Sequence, residues 1–138
     1  MNKLFPIVLA LLFFSCTEDE ESSYQLKEGW NKSNMLDEIK KCTITPCDND
    51  YITCSDLQLM CKCDVEAIAH SFSYSRWQKL SSSKDESILT ASDLKALEKK
   101  FLYQKECYYD NNLTSDFILG VLASIEQALE GLKKDYNE

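Results

Sequence analysis

Glycine is scarce in this chain, three in 138 residues, and histidine occurs once. The shortage of glycine removes the residue that tight hairpin turns rely on, and no stretch alternates apolar and polar residues for long enough to read as a strand. No internal repeat is present. The lone histidine, His70, sits in "AIAHSFSYS" beside Ser71, Ser73 and Ser75. Residues so close on one helix cannot build a serine–histidine–acid relay by themselves, and a half-buried helical histidine reads as structural. The chain also lacks GxSxG, HExxH, phosphate-loop and dinucleotide fingerprints. Acid pairs such as Asp37-Glu38, Asp85-Glu86 and Glu126 with Glu130 fall at positions expected to be solvated. Nothing in the sequence sets two of them across a cleft, as glycoside hydrolysis requires. A basic stripe is missing too: 15 Lys and Arg stand against 23 Asp and Glu, a net charge of −8. That balance argues against a nucleic-acid partner, which needs clustered cations. The expectation is a protein that is not an enzyme and that takes no cofactor.

Long apolar runs are limited to residues 4–14, which follow Lys3. As a helix they would span about 17 Å against about 30 Å of bilayer hydrocarbon, the proportions of a signal-peptide core rather than a membrane span. Ordinary secretory cleavage before Cys16 would put Ser15 at −1 but the bulky Phe13 at −3. With Cys16 taken as the first mature residue, Phe13-Phe14-Ser15-Cys16 resembles a lipoprotein signal. It is looser than the usual box of Leu, Ala or Ser, Gly or Ala, and Cys, in the manner of Bacteroidota lipoproteins. The acidic "TEDEE" at residues 17–21 resembles the export signal of their surface-exposed members. The resemblance covers the first 21 residues, and it implies lipid attachment at Cys16 and an outer-membrane, surface-exposed location. Two or more acyl chains hold a protein stably at a membrane, and four carboxylates beside anionic head groups push the following chain into water.

The expected organisation is a signal peptide at 1–15, a lipidated, acidic and flexible tether at 16–29, and one cysteine-rich helical domain at 30–138. Losing residues 1–15 removes only Lys3 from the charge count and leaves a net near −9. Six cysteines remain after Cys16: Cys42, Cys47, Cys54, Cys61, Cys63 and Cys107. An even number in an exported chain of this size reads as three disulfides. A zinc site would want short-spaced ligand pairs, and "CDNDYITCSDLQLMCKC" contains no CxxC and no histidine. A calcium loop starting at Asp48 fails as well, since Thr53 and Leu59 occupy the positions of its glycine and glutamate. The pairing is open from sequence. If Cys61 and Cys63 share a helix, they project about 200° apart and take different partners. Cys107 then ties a later helix to the cysteine-rich region.

The helical pattern predicts an all-α bundle of three long helices plus a short N-terminal one. The short helix covers residues 30–41, with Met35, Leu36 and Ile39 on one face. Residues 42–54 form a disulfide-clamped loop with turns at Pro46 and Asp48-Asn49-Asp50. Ser55 and Gln58 make a capping box for a long helix running towards Leu80, with Leu57, Cys61, Val65, Ile68 and Phe72 inward. After a loop at 81–87, Ser92-Asp93 opens a helix whose Leu94, Leu97, Phe101 and Tyr108 share a stripe. Thr114 or Ser115 caps the last helix, whose apolar face is Ile118, Val121, Leu122, Ile125, Leu129, Leu132 and Tyr136. Gly120 within it marks an expected close helix approach.

On the helix from Ser92, Tyr103 points away from Leu94 and Tyr109 falls at the stripe's margin. Tyrosine concentrates at protein interfaces, and acids beside it suit a basic partner. Tyr103, Glu106, Tyr109 and Asp110 are therefore the expected partner-binding residues. The sequence points to a lipid-anchored envelope protein acting by protein binding, in its sharpest form an inhibitor or immunity-type lipoprotein. The alternatives are a structural accessory subunit of an outer-membrane complex and a small-ligand-binding lipoprotein.

Overall fold

The computed structural model describes residues 25–137. Cys16, the signal segment before it and the acidic run after it lie outside the described residues. The described residues form five α-helices: α1 (Lys32–Cys42), α2 (Cys54–Ser71), α3 (Tyr74–Ser82), α4 (Ala91–Asp110) and α5 (Asp116–Asn137), with a 3₁₀ turn at Glu86–Ile88. No strand occurs among the described residues, so the all-α expectation holds.

The helices begin where short polar side chains can take orphan amides, but not always at the residue the pattern suggested. Asn31 and Asn34 cap α1 reciprocally at 2.8 and 2.9 Å, which leaves Trp30 outside the helix. Thr53, not Ser55, caps α2 by accepting from the Asp56 amide at 3.1 Å, while Asp48 Oδ1 accepts from the Cys54 amide at 2.8 Å. The Asp48 carboxylate thus draws Cys54 into the first turn and moves the start ahead of the Ser55–Gln58 box. Thr90 and Asp93 form the capping box of α4, again ahead of Ser92. Ser115 caps α5 through the Ile118 amide at 3.3 Å.

The long helix expected to run towards Leu80 is two helices. Phe72 and Ser73 are extended, and Ser73 Oγ caps α3 by accepting from the Arg76 amide. The groups freed at this break are taken by the chain just ahead of α1. The Lys27 amide donates to Ala69 O at 2.8 Å, the Tyr74 amide to Glu28 O at 2.9 Å, and Trp30 Nε1–H to Phe72 O at 2.7 Å. Residues 27–29, read from sequence as the end of the tether, are therefore bonded to the domain. Gly29 is required there, with φ of +88° and an added Cβ only 3.1 Å from Tyr74 Cβ. Residues 81 and 82, expected in the loop, belong to α3.

α4 lies between α2 and α5 and runs antiparallel to both, as the Cys63–Cys107 bridge, the Tyr103–Glu66 hydrogen bond and the Lys133–Glu98 ion pair require. One core gathers Leu57, Cys61, Phe101, Tyr108, Leu113, Ile118 and Leu122, while a smaller one packs Trp30, Val65, Ile68 and Ala69 against Met35 and Trp77. The stripes of α2 and α4 turn inward as expected. Leu36 does not join Met35 and Ile39 and remains 46% exposed. Tyr136 at the end of α5 is also exposed, and Gly120 meets nothing within 4 Å of an added Cβ. Gly120 therefore sits on the open side of α5, with no close helix approach, because the packed face of that helix is the one that carries Ile118, Leu122 and Leu129.

Three disulfides join Cys42–Cys61, Cys47–Cys54 and Cys63–Cys107. Cys61 and Cys63 take different partners, and Cys107 ties α4 to α2. The first bridge fixes α1 to α2, the second closes the loop between them, and the third spans 44 residues of sequence.

Candidate functional site: an acidic, aromatic pole

α4 sorts its C-terminal half by face. Tyr103, Gln104 and Tyr108 turn towards α2, while Glu106, Tyr109 and Asp110 face out. The Tyr103 hydroxyl donates to Glu66 Oε2 at 3.0 Å, and its ring lies 5.1 Å from that of His70. A direction opposite Leu94 does not mean solvent here, because α4 is covered on two sides, by α2 and by α5. Of the four residues expected to bind a partner, Tyr103 is spent on this interface. Glu106, Tyr109 and Asp110 are exposed, Tyr109 by 50%.

Beneath them lies a polar cluster. Asp64 Oδ1 accepts from the Tyr108 hydroxyl and from Gln104 Nε2 at 2.6 Å, and Gln104 Nε2 also donates to the Tyr108 oxygen at 3.1 Å. Burial raises Asp64 above the ordinary carboxylate value, and these two donors offset only part of that rise. Lys100, half-buried nearby, is pushed down by burial and held up in part by Asp64. A carboxyl raised in the fold adds stability that is full below its ordinary pKa of 3.8 and is lost as pH rises through the raised value. Tyr108→Phe removes a donor from a partly buried acceptor and should cost about 1–3 kcal/mol. The cost should grow with pH, because ionised Asp64 needs that donor more. Urea unfolding across the acid range checks this, and a pH-independent difference would contradict the assigned role.

The rest of the site comes from segments far apart in sequence. The loop between α1 and α2, the N-terminus of α2, the C-terminus of α4 and the N-terminus of α5 meet at one end of the domain. The ring contact between Tyr51 and Phe117, with centroids 5.7 Å apart, joins the loop to α5. Tyr51 is 67% exposed, Phe117 41% and Ile44, on the same loop, 83%. The loop is held firmly: Cys47–Cys54 closes it, Asn49 Oδ1 accepts from the Tyr51 and Ile52 amides at 2.9 and 3.0 Å, and Ile52 is buried.

No protein-family model, curated protein or solved structure matches this chain. The site is therefore read from its own chemistry.

Charge at this end is predominantly negative, with Lys105 on α4 and Lys40 and Lys41 at the end of α1 bordering it. Asp48, Asp50, Glu106, Asp110 and Asp116 are exposed and Asp56 is half-buried. No Lys, Arg or His occurs between Lys41 and Lys62, or between Lys105 and Lys133. Two of the bordering cations already have carboxylates of their own, Lys41 with Glu38 at 2.8 Å and Lys62 with Glu66 at 3.9 Å. Asp56 and Asp116 also stand in first helical turns, where a negative charge favours the helix. Tyr51, Phe117, Asp48, Asp50 and Asp116 were not found from sequence, although the two cation-free stretches were visible there. Among the described residues no group of three or more His, Cys, Asp or Glu could hold a metal ion, and no helix is long and apolar enough to cross a membrane.

Proposed function

We propose that this is a lipid-anchored cell-envelope protein, attached through Cys16, that works by binding a basic protein at the acidic, aromatic pole. Its sharpest form is an inhibitor or immunity-type role, the pole occupying a cationic surface of a protein that would otherwise act on the cell. One observation carries the reading: the exposed rings of Tyr51, Tyr109 and Phe117 lie on a surface where carboxylates outnumber cations, with Lys105 beside Tyr109 on α4. Rigid exposed aromatics supply much of the energy of protein interfaces, and an excess of one sign of charge selects the partner and speeds its approach. The open side of α5 supports a docking module over a permanently buried subunit. Gly120, Ala123, Ser124 and Ala128 are exposed there, and the large exposed apolar residues of α5, Phe117 and Tyr136, stand at its two ends. An obligate interface is broader and more hydrophobic.

The test is crosslinking of the tagged full chain on intact cells, with the partner recovered from wild type and from two double variants. Tyr51→Ala with Phe117→Ala, and Asp50→Lys with Asp110→Lys, are expected to lower recovery about tenfold or more while thermal unfolding stays near wild type. Added salt should weaken capture by wild type. A partner held equally by all three proteins would sink the reading. Stoichiometric, salt-resistant recovery of a membrane complex would replace it with the accessory-subunit role.

A further inference from the structure

We infer that the domain stands on the membrane with the acidic pole outward, so that its occupant is a cationic segment of a protein arriving through the aqueous phase. The inference rests on Cys16 as the anchor and on the pole as the docking surface. Two independent features carry it, the point at which the tether meets the domain and the segregation of charge along it.

The chain from Cys16 joins the domain at the C-terminal end of α2. Lys27, Glu28 and Trp30 are hydrogen-bonded to Ala69, Tyr74 and Phe72, and Trp30, 8% exposed, packs edge-on against Tyr74 with ring centroids 4.9 Å apart. This arm closes the orphan groups of two helix ends, so it is a fixed part of the fold. The pole is built at the other end of the same helix, from Cys54 and the loop before it. α2 has 18 residues and is therefore about 27 Å long. The tether emerges at one end of the domain and the aromatic rings stand at the other.

Attachment alone does not fix orientation. The chain between Cys16 and Lys27 can extend to about 40 Å, enough for the domain to turn over. Charge opposes the turn. The attached end carries Lys27, Lys32, Lys79, Lys84, Lys95 and Lys134, with Arg76 already paired to Asp93, mixed with Glu28, Asp85 and Asp135, whereas the opposite pole sets Asp48, Asp50, Asp56, Glu106, Asp110 and Asp116 against Lys105. Within a screening length of about 8–10 Å, anionic head groups repel the pole and tolerate the mixed end. A lipid surface is thereby excluded as the occupant of the aromatic patch, and a cationic protein segment fits both its sign and its accessibility.

Energy transfer in lipid vesicles tests this. The lipidated full chain is placed in vesicles of phosphatidylethanolamine and phosphatidylglycerol that carry an acceptor-labelled lipid. A donor is introduced through a non-canonical residue at position 50, on the pole, or at position 78, on α3 at the attached end; Asp50 and Gln78 are both exposed. Transfer from 78 is expected to exceed that from 50 several-fold, and Asp48→Lys with Asp116→Lys should narrow the difference. Equal transfer from the two positions, or more from 50, overturns the orientation. Transfer from neither overturns it through the anchor itself. Partner capture by the pole variants repeated with detergent-solubilised full chain does not depend on how the domain stands, so a failure here and a failure of the docking reading are told apart.

Discussion

Replacing Cys63 and Cys107 together by alanine is expected to lower the unfolding free energy by about 4 kcal/mol, the largest loss among the three bridges. The reason lies in the unfolded chain. This bridge closes 44 residues, against 19 for Cys42–Cys61 and 7 for Cys47–Cys54, and the entropy removed from the unfolded ensemble grows with the logarithm of that number. The same relation gives about 2 kcal/mol for the shortest loop. The native state depends on the long bridge too. It joins α2 to α4 beside Asp64 and Tyr108, and Asn111 Nδ2 donates to Cys107 O at 2.8 Å next to it. Alanine is the right replacement because Cys63 is 2% exposed and a serine would bring a hydroxyl into that buried position. Denaturant unfolding of the two double variants, Cys63/Cys107 and Cys47/Cys54, decides the matter. A smaller loss for the long bridge would mean that α2 and α4 stay together in the unfolded chain without it.

Asp93→Asn should cost about 2–3 kcal/mol at neutral pH. Asp93 is 6% exposed and holds three elements together. Its carboxylate accepts from Arg76 Nε at 3.0 Å and from Arg76 Nη2, and from the Thr90 amide and hydroxyl at 2.9 and 3.0 Å. Arg76 Nη2 also donates to Ile88 O at 2.8 Å, so one ion pair pins α3, the 3₁₀ turn and the start of α4. The Arg76 guanidinium, with help from Thr90, draws the Asp93 pKa from 3.8 down to about 2 against the opposing effect of burial. A carboxyl lowered in the fold contributes stability that is fully present above its unfolded pKa and is lost as pH falls through the folded one. The gap between wild type and variant should therefore hold from neutral pH down to 3.8 and close as pH approaches 2. Asparagine keeps an acceptor for Thr90, so the measured loss belongs mainly to the charge. A gap that stays constant into strong acid would assign it to packing instead.

These two predictions differ in how far they could be read in advance. An even count of six cysteines after Cys16 reads as three bridges, and the opposed directions of Cys61 and Cys63 already required two different partners. The choice of Cys42 for one and Cys107 for the other depends on α1 and α4 flanking α2 on different sides, which is a property of the packed bundle. Asp93 was legible only as a first-turn acid. Its partner lies 17 residues back, on a helix that the periodicity of α2 had absorbed. That periodicity runs through Phe72 without interruption. The break is stabilised by the Glu28 carbonyl and the Trp30 indole, groups more than 40 residues away that no local window contains.

The candidate site divides the same way. By itself the sequence determined the helical class, the inward stripes of α2 and α4, the acidic balance and the even cysteine count, because each depends on residue type and on spacing within a few turns. Only the tertiary structure decided that Tyr103 faces Glu66, that Tyr51 meets Phe117, and that the two cation-free stretches close into one pole opposite the end where Lys27 and Trp30 bind the close of α2. A side chain's direction around its own helix follows from local geometry. What it meets in that direction is set by where the other helices lie, and here those positions are fixed by bridges, caps and buried contacts between residues far apart in the chain.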